Sequence, residues 1–479
     1  MSFGRLRPKS LTAPLDRRQR WPFALRFAVV LVALHAPSWL AALVLQAPMA
    51  EERPLLNLDL LVAASIACLS TGAGGVALLL AWAADFIRAA AKNYHFMSAM
   101  DFVDAMRFVD MLNLGSFVSL PMLAIVVGLA LCACVVLGQA RRMPLLVLPL
   151  WVTIVGAAGF DVANGSFHIF GLDKDSRIVK MNFAGSPAWN VWRAEQRNPL
   201  ASGALVPMQD PVSFTAQREW TLAHPGQTSM LVLVESMGLP KAPEVLDWLR
   251  GRLFTQRLST RWTVRQSDEA FRGTTTSGEL RALCGLQGHY SRLDDTLAAR
   301  CLPQMLAGQG TTSIGIHGFG LRMFDRNQWW PRIGLAPWQW PGRPQAQLPM
   351  SCNQAFPGVC DAAVLDLAVA QAQQPARFVY ALTLDTHLPL DQDHASPLPA
   401  DLKARCAASG TPEEACHLVR QLGDVLGTLS QSLVGSRATP FVVVVGDHAP
   451  PFGEAANRQA FVADRVPIFV LTPLDAGKR

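Results

Sequence analysis

The chain has 479 residues, 51% hydrophobic and only 16% charged, with a mean hydropathy of +0.23. That balance excludes a disordered or nucleic-acid-tail protein and is too poor in charge for a wholly soluble enzyme. The net charge of +6 comes largely from Arg5, Arg7, Lys9, Arg17, Arg18 and Arg20, too local a cluster for a nucleic-acid-binding body.

Four stretches lack Asp, Glu, Lys and Arg: Phe27 to Gln46, Leu60 to Ala84, Met111 to Ala140, and Met143 to Phe160. About 20 apolar residues in a helix cross a bilayer core, and backbone amides cannot go unpaired there, so these read as membrane helices. The N-terminal basic cluster and Arg141-Arg142 both belong on the cytoplasmic side. Four simple passes cannot satisfy both; five can, and leave everything after Phe160 outside. The stretch Leu55 to Ala84 offers the extra pass, because Ser70 to Gly75 (STGAGG) can break it into two helices. A re-entrant segment, or partial insertion of the amphipathic stretch Tyr94 to Leu114, is the alternative.

Cys68, Cys132 and Cys134 lie in apolar segments, where a thiol is a small hydrophobe. The other six fall later in three close pairs, Cys284-Cys301, Cys352-Cys360 and Cys406-Cys416, which suggests three disulfides in an oxidising compartment. This gives a basic cytoplasmic N-terminus (1–20), a membrane domain (21–161), a juxtamembrane linker (162–225) and an extracytoplasmic domain (226–479). The linker carries Trp189 and Trp192 beside Arg193 and Arg197, a pattern for a helix at a membrane surface or one packed on the domain.

In the last part, strands are expected at Met230–Glu235, Ser313–His317, Phe378–Leu384, Phe441–Gly446 and Val466–Leu471, with helices such as Ala242–Leu258 and Ala362–Gln373 between them. Continuous apolar strands alternating with helices predict a mainly parallel sheet covered on both faces. Chemistry in such folds gathers at the carboxyl ends of strands. Here those ends carry Glu235-Ser236, Asp385-Thr386-His387 and Asp447-His448, with the cluster Gly273 to Glu279 (GTTTSGE) after the first helix. Glu, Asp and His suit a divalent ion such as Zn or Mn, and a threonine hydroxyl needs a metal or base to become nucleophilic.

The ordered segments VLVLVESMG, FRGTTTSGELRALCG, IHGFGLRMFDRNQWWPRIGL, LTLDTHLPL and VVVVGDHAPPF resemble the motifs of the sulfatase-like branch of the alkaline phosphatase superfamily. They look most like those of membrane-anchored lipoteichoic acid synthases and phosphoglycerol or phosphoethanolamine transferases. The resemblance covers roughly residues 226–475 plus the multi-span anchor. It implies a multi-span α-helical membrane domain followed by an α/β alkaline-phosphatase-like domain, in the bacterial inner membrane with the catalytic part periplasmic or extracellular.

Carried over by position, the resemblance implies Glu235, Asp447 and His448 as ligands of one divalent metal (Zn or Mn, with Mg as an alternative). It implies Thr275, four residues before Glu279, as nucleophile and further ligand, with Thr274 and Thr276 as alternatives. His387 would face the substrate phosphate, and Arg326 would bind the transferred group, beside Phe324 where relatives often carry tryptophan. The expected reaction moves a phospholipid headgroup through a phosphothreonine to a glycan or glycolipid hydroxyl. Competing readings are a phosphodiesterase, a sulfatase, which would need a C/S-x-P-x-R context absent around Thr275, and a catalytically inactive scaffold of envelope-polysaccharide assembly. A two-metal phosphatase would need further ligands, for which His289, His317 and His394 are available without a motif. The cluster Trp329, Trp330, Trp338 and Trp340 suits sugar stacking, a bilayer surface or core packing.

Overall fold

The computed structural model describes residues 22–44, 54–93, 98–113, 120–163, 184–197, 202–340, 352–353, 355–390 and 397–474. The N-terminal basic cluster and His394 lie outside them. The chain forms two compact units, Met1–Ala89 with Leu120–Trp192, and Ala90–Ser119 with Arg193–Arg479.

The first unit holds α1 (Pro22–Val44), α2 (Leu58–Leu69) and most of α3 (Thr71–Asn93). A short helix, α4 (Ala99–Met106), belongs to the second unit, and the chain then returns through α5 (Leu120–Arg142) and α6 (Val147–Ala163). The break expected after Cys68 is present: Ser70 leaves the helical region at ψ 114° and closes α2 through its N–H to Ile66. Gly74 permits the start of α3 to lie close to the end of α2, since a Cβ there would lie 2.2 Å from Ala67 Cα. Leu34, Leu60, Leu61, Leu78, Val136 and Leu150 form this unit's core.

Two windows, Phe23–Leu40 in α1 and Leu123–Arg142 in α5, are long and apolar enough to cross a membrane, while α2 and α6 are apolar but shorter. The apolar stretch expected to begin at Met111 starts differently. Met111 closes a 3-10 turn in the second unit, and α5 begins at Leu120 with Pro121 in its first turn, where a missing N–H costs nothing. Helix α7 (Pro187–Arg197) leaves Trp189 and Trp192 exposed.

The second unit is built on a seven-stranded sheet: β1 (Ser229–Val234), β2 (Trp262–Ala270), β3 (Thr312–His317), β4 (Ala336–Pro337), β5 (Arg377–Leu382), β6 (Phe441–Gly446) and β7 (Arg465–Pro473), in spatial order β2-β7-β6-β1-β5-β3-β4. Strands β6, β1, β5, β3 and β4 pair in parallel, and β7 is antiparallel to both neighbours. Strand β2 was not anticipated. Its sequence WTVRQSDEA is polar because at the sheet edge only Trp262 and Glu269 of the strand are buried.

Alternation sends side chains to two cores. Met230, Val232 and Val234 of β1 join one, and Leu231 and Leu233 join the other. The first is covered by α9 (Pro243–Leu253), α13 (Asp361–Gln371) and α14 (Glu413–Gly435). On the opposite face lie α8 (Val212–Ala223), α10 (Thr275–Cys284), α11 (Leu302–Ala307) and α12 (Arg326–Arg332). Trp329 and Trp330 are buried in that second core, and Trp338 and Trp340 pack against the first. The three expected disulfides, Cys284–Cys301, Cys352–Cys360 and Cys406–Cys416, are formed.

Candidate active site

In the parallel register of β6 on β1, Gly446 stands opposite Val234. The residues that follow, Asp447 and Glu235, therefore leave the sheet side by side. Gly446 is required here, because a Cβ would lie 1.9 Å from Met237 O in the turn after β1. That turn places Ser236 in the left-handed region at φ 54°. In return, Ser236 N–H donates to Asp447 Oδ1 at 2.8 Å and its hydroxyl to Glu235 Oε1 at 2.9 Å. Thr386 Oγ1 donates to Glu235 O at 2.5 Å, and Glu235 N–H donates to Thr383 Oγ1 at 3.0 Å, tying the end of β1 to that of β5.

Glu235, Asp447 and His448 are buried, and one ligand atom from each lies within 4.8 Å of the others. His448 Nδ1–H donates to Ala449 O at 3.0 Å, which turns Nε2 toward the two carboxylates, 3.6 Å from Glu235 Oε1 and 3.3 Å from Asp447 Oδ2. Burial, then the neighbouring Glu235, pushes the Asp447 carboxyl up to about 7. Asp447 Oδ2 is buried without a hydrogen-bond donor. Two crowded carboxylates, an imidazole nitrogen aimed at them and an orphaned oxygen fit a divalent cation. A second grouping, Cys352, Cys360 and Asp385, does not fit, because its sulfurs are bonded to each other and offer no thiolate.

Helix α10 begins at Thr275, whose hydroxyl donates to Glu235 Oε2 at 3.1 Å. The neighbouring Thr274 and Thr276 hydroxyls bond to each other at 3.2 Å. The Thr274 side chain does not cap the helix, so first-turn N–H groups remain available for an anion. Gly278 lets α10 approach: a Cβ there would lie 3.1 Å from Asp447 Cβ. Ser277 is turned away, donating to Gly288 O at 3.0 Å, and Cys284 is in a disulfide.

His387 is half-buried beside the cluster. Its Nδ1–H donates to Leu388 O at 2.6 Å and its ring lies 4.1 Å from that of Phe356. Burial, and secondarily His448, holds it below the usual imidazole range, so it is neutral with Nε2 as an acceptor. Arg326 is buried and paired. Its Nε donates to Glu279 Oε2 at 3.0 Å, and Glu279 Oε1 also accepts from Trp330 and Tyr380. Its guanidinium thus joins α10 one turn beyond Thr275, over the Phe324 ring at 5.4 Å, and not the carboxylate–imidazole cluster. His317 is a core histidine: it is buried, its Nδ1 pairs with Leu382 O, and burial lowers its pKa to about 3.

Sequence reasoning gave no role to Arg281. It is buried on α10, with Nε 2.6 Å from Glu269 Oε1, Nη1 3.1 Å from Asp447 O and Nη2 2.5 Å from Gly446 O. Glu269 is held in turn by the Ser213 N–H and hydroxyl. The available signal was a lone arginine among Leu280, Ala282 and Leu283.

A family model for sulfatases matches residues 227–478, more than half of the chain, and the chain belongs to that family. Among solved structures it is similar to the lipoteichoic acid synthase LtaP from Listeria monocytogenes, at 16% identity over 56% of this chain and 69% of that one, TM-score 0.34. It is also similar to the phosphoglycerol transferase GacH from Streptococcus pyogenes, at 15% identity over 57% and 78% of the two chains, TM-score 0.35. At these scores the likenesses carry no further weight. No curated protein matches the chain.

Proposed function

We propose that the protein is a membrane-anchored phosphotransferase. It moves a phospholipid headgroup, phosphoethanolamine or phosphoglycerol, by way of a phosphothreonine at Thr275 to a glycan or glycolipid hydroxyl. The observation that carries this reading is the convergence of Thr275 Oγ1 on Glu235 Oε2 at 3.1 Å, within the cluster completed by Asp447 and His448. Five apolar helices anchor the chain, and the catalytic unit faces the outside of a bacterial inner membrane. The hydropathy of α1 and α5 supports the anchor, and the three disulfides support an oxidising compartment.

A Zn or Mn ion held by Glu235, Asp447 and His448, with Thr275 as a further ligand, supplies the Lewis acidity that lowers the pKa of a threonine hydroxyl. In the first half-reaction Thr275 Oγ1 bonds to phosphorus and gives its proton toward Glu235. The bond from phosphorus to the diacylglycerol oxygen breaks, and that oxygen takes a proton from solvent. Developing charge on the phosphoryl oxygens meets the N–H groups at the start of α10. Arg326, released from or shared with Glu279, adds a second cationic contact to the transferred group. In the second half-reaction the acceptor hydroxyl passes its proton to neutral His387 Nε2 and attacks phosphorus, and Thr275 Oγ1 departs and is reprotonated.

Incubating the full chain with phosphatidylethanolamine or phosphatidylglycerol vesicles, followed by peptide mass analysis, tests this directly. A headgroup-sized adduct on Thr275 is expected, with turnover abolished in Thr275→Ala but metal binding retained. Substantial turnover by Thr275→Ala would overturn the assignment. Absence of both adduct and bound metal would favour a scaffold.

A further inference from the structure

Helix α4 (Ala99–Met106) is amphipathic with its polarity reversed. Its acidic face points into the catalytic unit. Asp101 is buried and closes a capping box with Ser98, and buried Asp104 accepts from Tyr290 Oη at 2.5 Å and pairs with Arg107 at 2.6 Å. The opposite face, Phe102, Val103 and Met106, is 36%, 69% and 62% exposed. These three residues lie at i, i+1 and i+4, one contiguous apolar stripe. A soluble helix buries its apolar side; one that buries carboxylates and presents Val and Met outward has an apolar medium or partner on that side.

We propose that this stripe is a bilayer-docking surface of the catalytic unit, occupied by lipid at the headgroup–acyl boundary. Chain continuity argues for lipid over a second protein. Only residues 94–97 separate α4's N-cap from α3, and residues 114–119 lead from its 3-10 extension into α5, which carries an apolar window long enough to span a membrane. Charge argues the same way. Arg107, paired with Asp104, and Arg322, paired with Asp110, have side chains 54% and 56% exposed and offer guanidinium edges to lipid phosphates. The surface is also wired to the site. Tyr290 and Arg107 both reach Asp325, at 3.3 Å and 3.1 Å, and Asp325 precedes Arg326 in a turn where Phe324 and Asp325 adopt φ 55° and 51°. Lipid on the stripe therefore lies across α4 from the loop that carries the arginine of the proposed headgroup site. The inference rests on the membrane placement proposed above and not on headgroup transfer.

The test is nitroxide accessibility in the full chain, with Cys68, Cys132 and Cys134 replaced by alanine, reconstituted in phosphatidylethanolamine–phosphatidylglycerol vesicles. Labels are placed by Val103→Cys, by Leu131→Cys in α5 and by Glu413→Cys on the exposed start of α14. Relaxation at 103 by oxygen, above that by an aqueous nickel chelate and with the reverse at 413, is the expected result. If 131 is lipid-accessible while 103 behaves like 413, the docking surface is refuted and the membrane placement stands. If 131 and 103 are both water-accessible, the membrane placement falls and this inference with it. Dipolar broadening between labels at 103, showing a second copy on the stripe, would also refute it.

Discussion

Asp447 concentrates the electrostatics of the site in one side chain. Its folded pKa of about 7 stands above the value of about 3.9 for an unfolded aspartate. The folded chain therefore holds the extra proton between those values, and the ion-free protein loses stability as pH rises from about 4 to 7. A cation reverses the sign, because it binds the deprotonated form and must displace that proton at lower pH. Divalent metal affinity should fall about tenfold per pH unit below 7, and Asp447→Asn should remove both the stability slope and that dependence. Calorimetric metal titrations and chelated thermal melts across this pH range check it; a pH-independent affinity would show that Asp447 is no ligand. Among three adjacent threonines, hydroxyl direction agrees with the spacing to Glu279: Thr275 donates to Glu235, while Thr274 and Thr276 bond to each other.

At the scale of elements, the site is a meeting of strand ends with one helix. The β1–β6 register places Glu235 beside Asp447, and α10 brings Thr275 to both. Arg281, from the middle of α10, grips the backbone carbonyls of Gly446 and Asp447. Replacing it with methionine keeps the apolar stem and leaves Glu269 with an unpaired buried charge. Arg281→Met should lower metal affinity by about 10- to 100-fold, the usual effect of losing an outer-shell partner. Arg281→Lys should recover only part of it, since an ammonium lacks the planar fork. Metal titration read beside thermal unfolding separates the two roles: equal loss of melting temperature in both variants with unchanged affinity would make Arg281 structural only. The strands of the parallel centre were legible because their runs are short, apolar and β-branched. Edge strand β2 and the two-residue β4 were not, since neither carries that pattern.

At the scale of the molecule, the catalytic unit is discontinuous in sequence, taking in Ala90–Ser119 as well as Arg193 onward. Phe108 fills an apolar cluster with Phe319, Met323, Ala355, Phe356 and Leu384, and Phe356 is the ring against His387. Phe108→Ala should destabilise this unit by about 3–5 kcal/mol, read as earlier proteolysis within residues 202–340 on heating the full chain in nanodiscs. Unchanged resistance would mean the segment only rests on the unit.

The sequence alone determined which chemical groups stand at the strand ends and that the sheet is mainly parallel, and it offered the Ser70 break and the three close cysteine pairs that the structure then showed. All of these are recorded in residue type, spacing and periodicity along a local stretch of chain. Only the tertiary structure decided that Arg326 pairs with Glu279, that Arg281 fixes the Asp447 turn, and that the acidic face of α4 is buried in the catalytic unit. Those facts depend on partners far apart in the chain, brought together by strand register and helix packing. No local pattern records where such a partner will be.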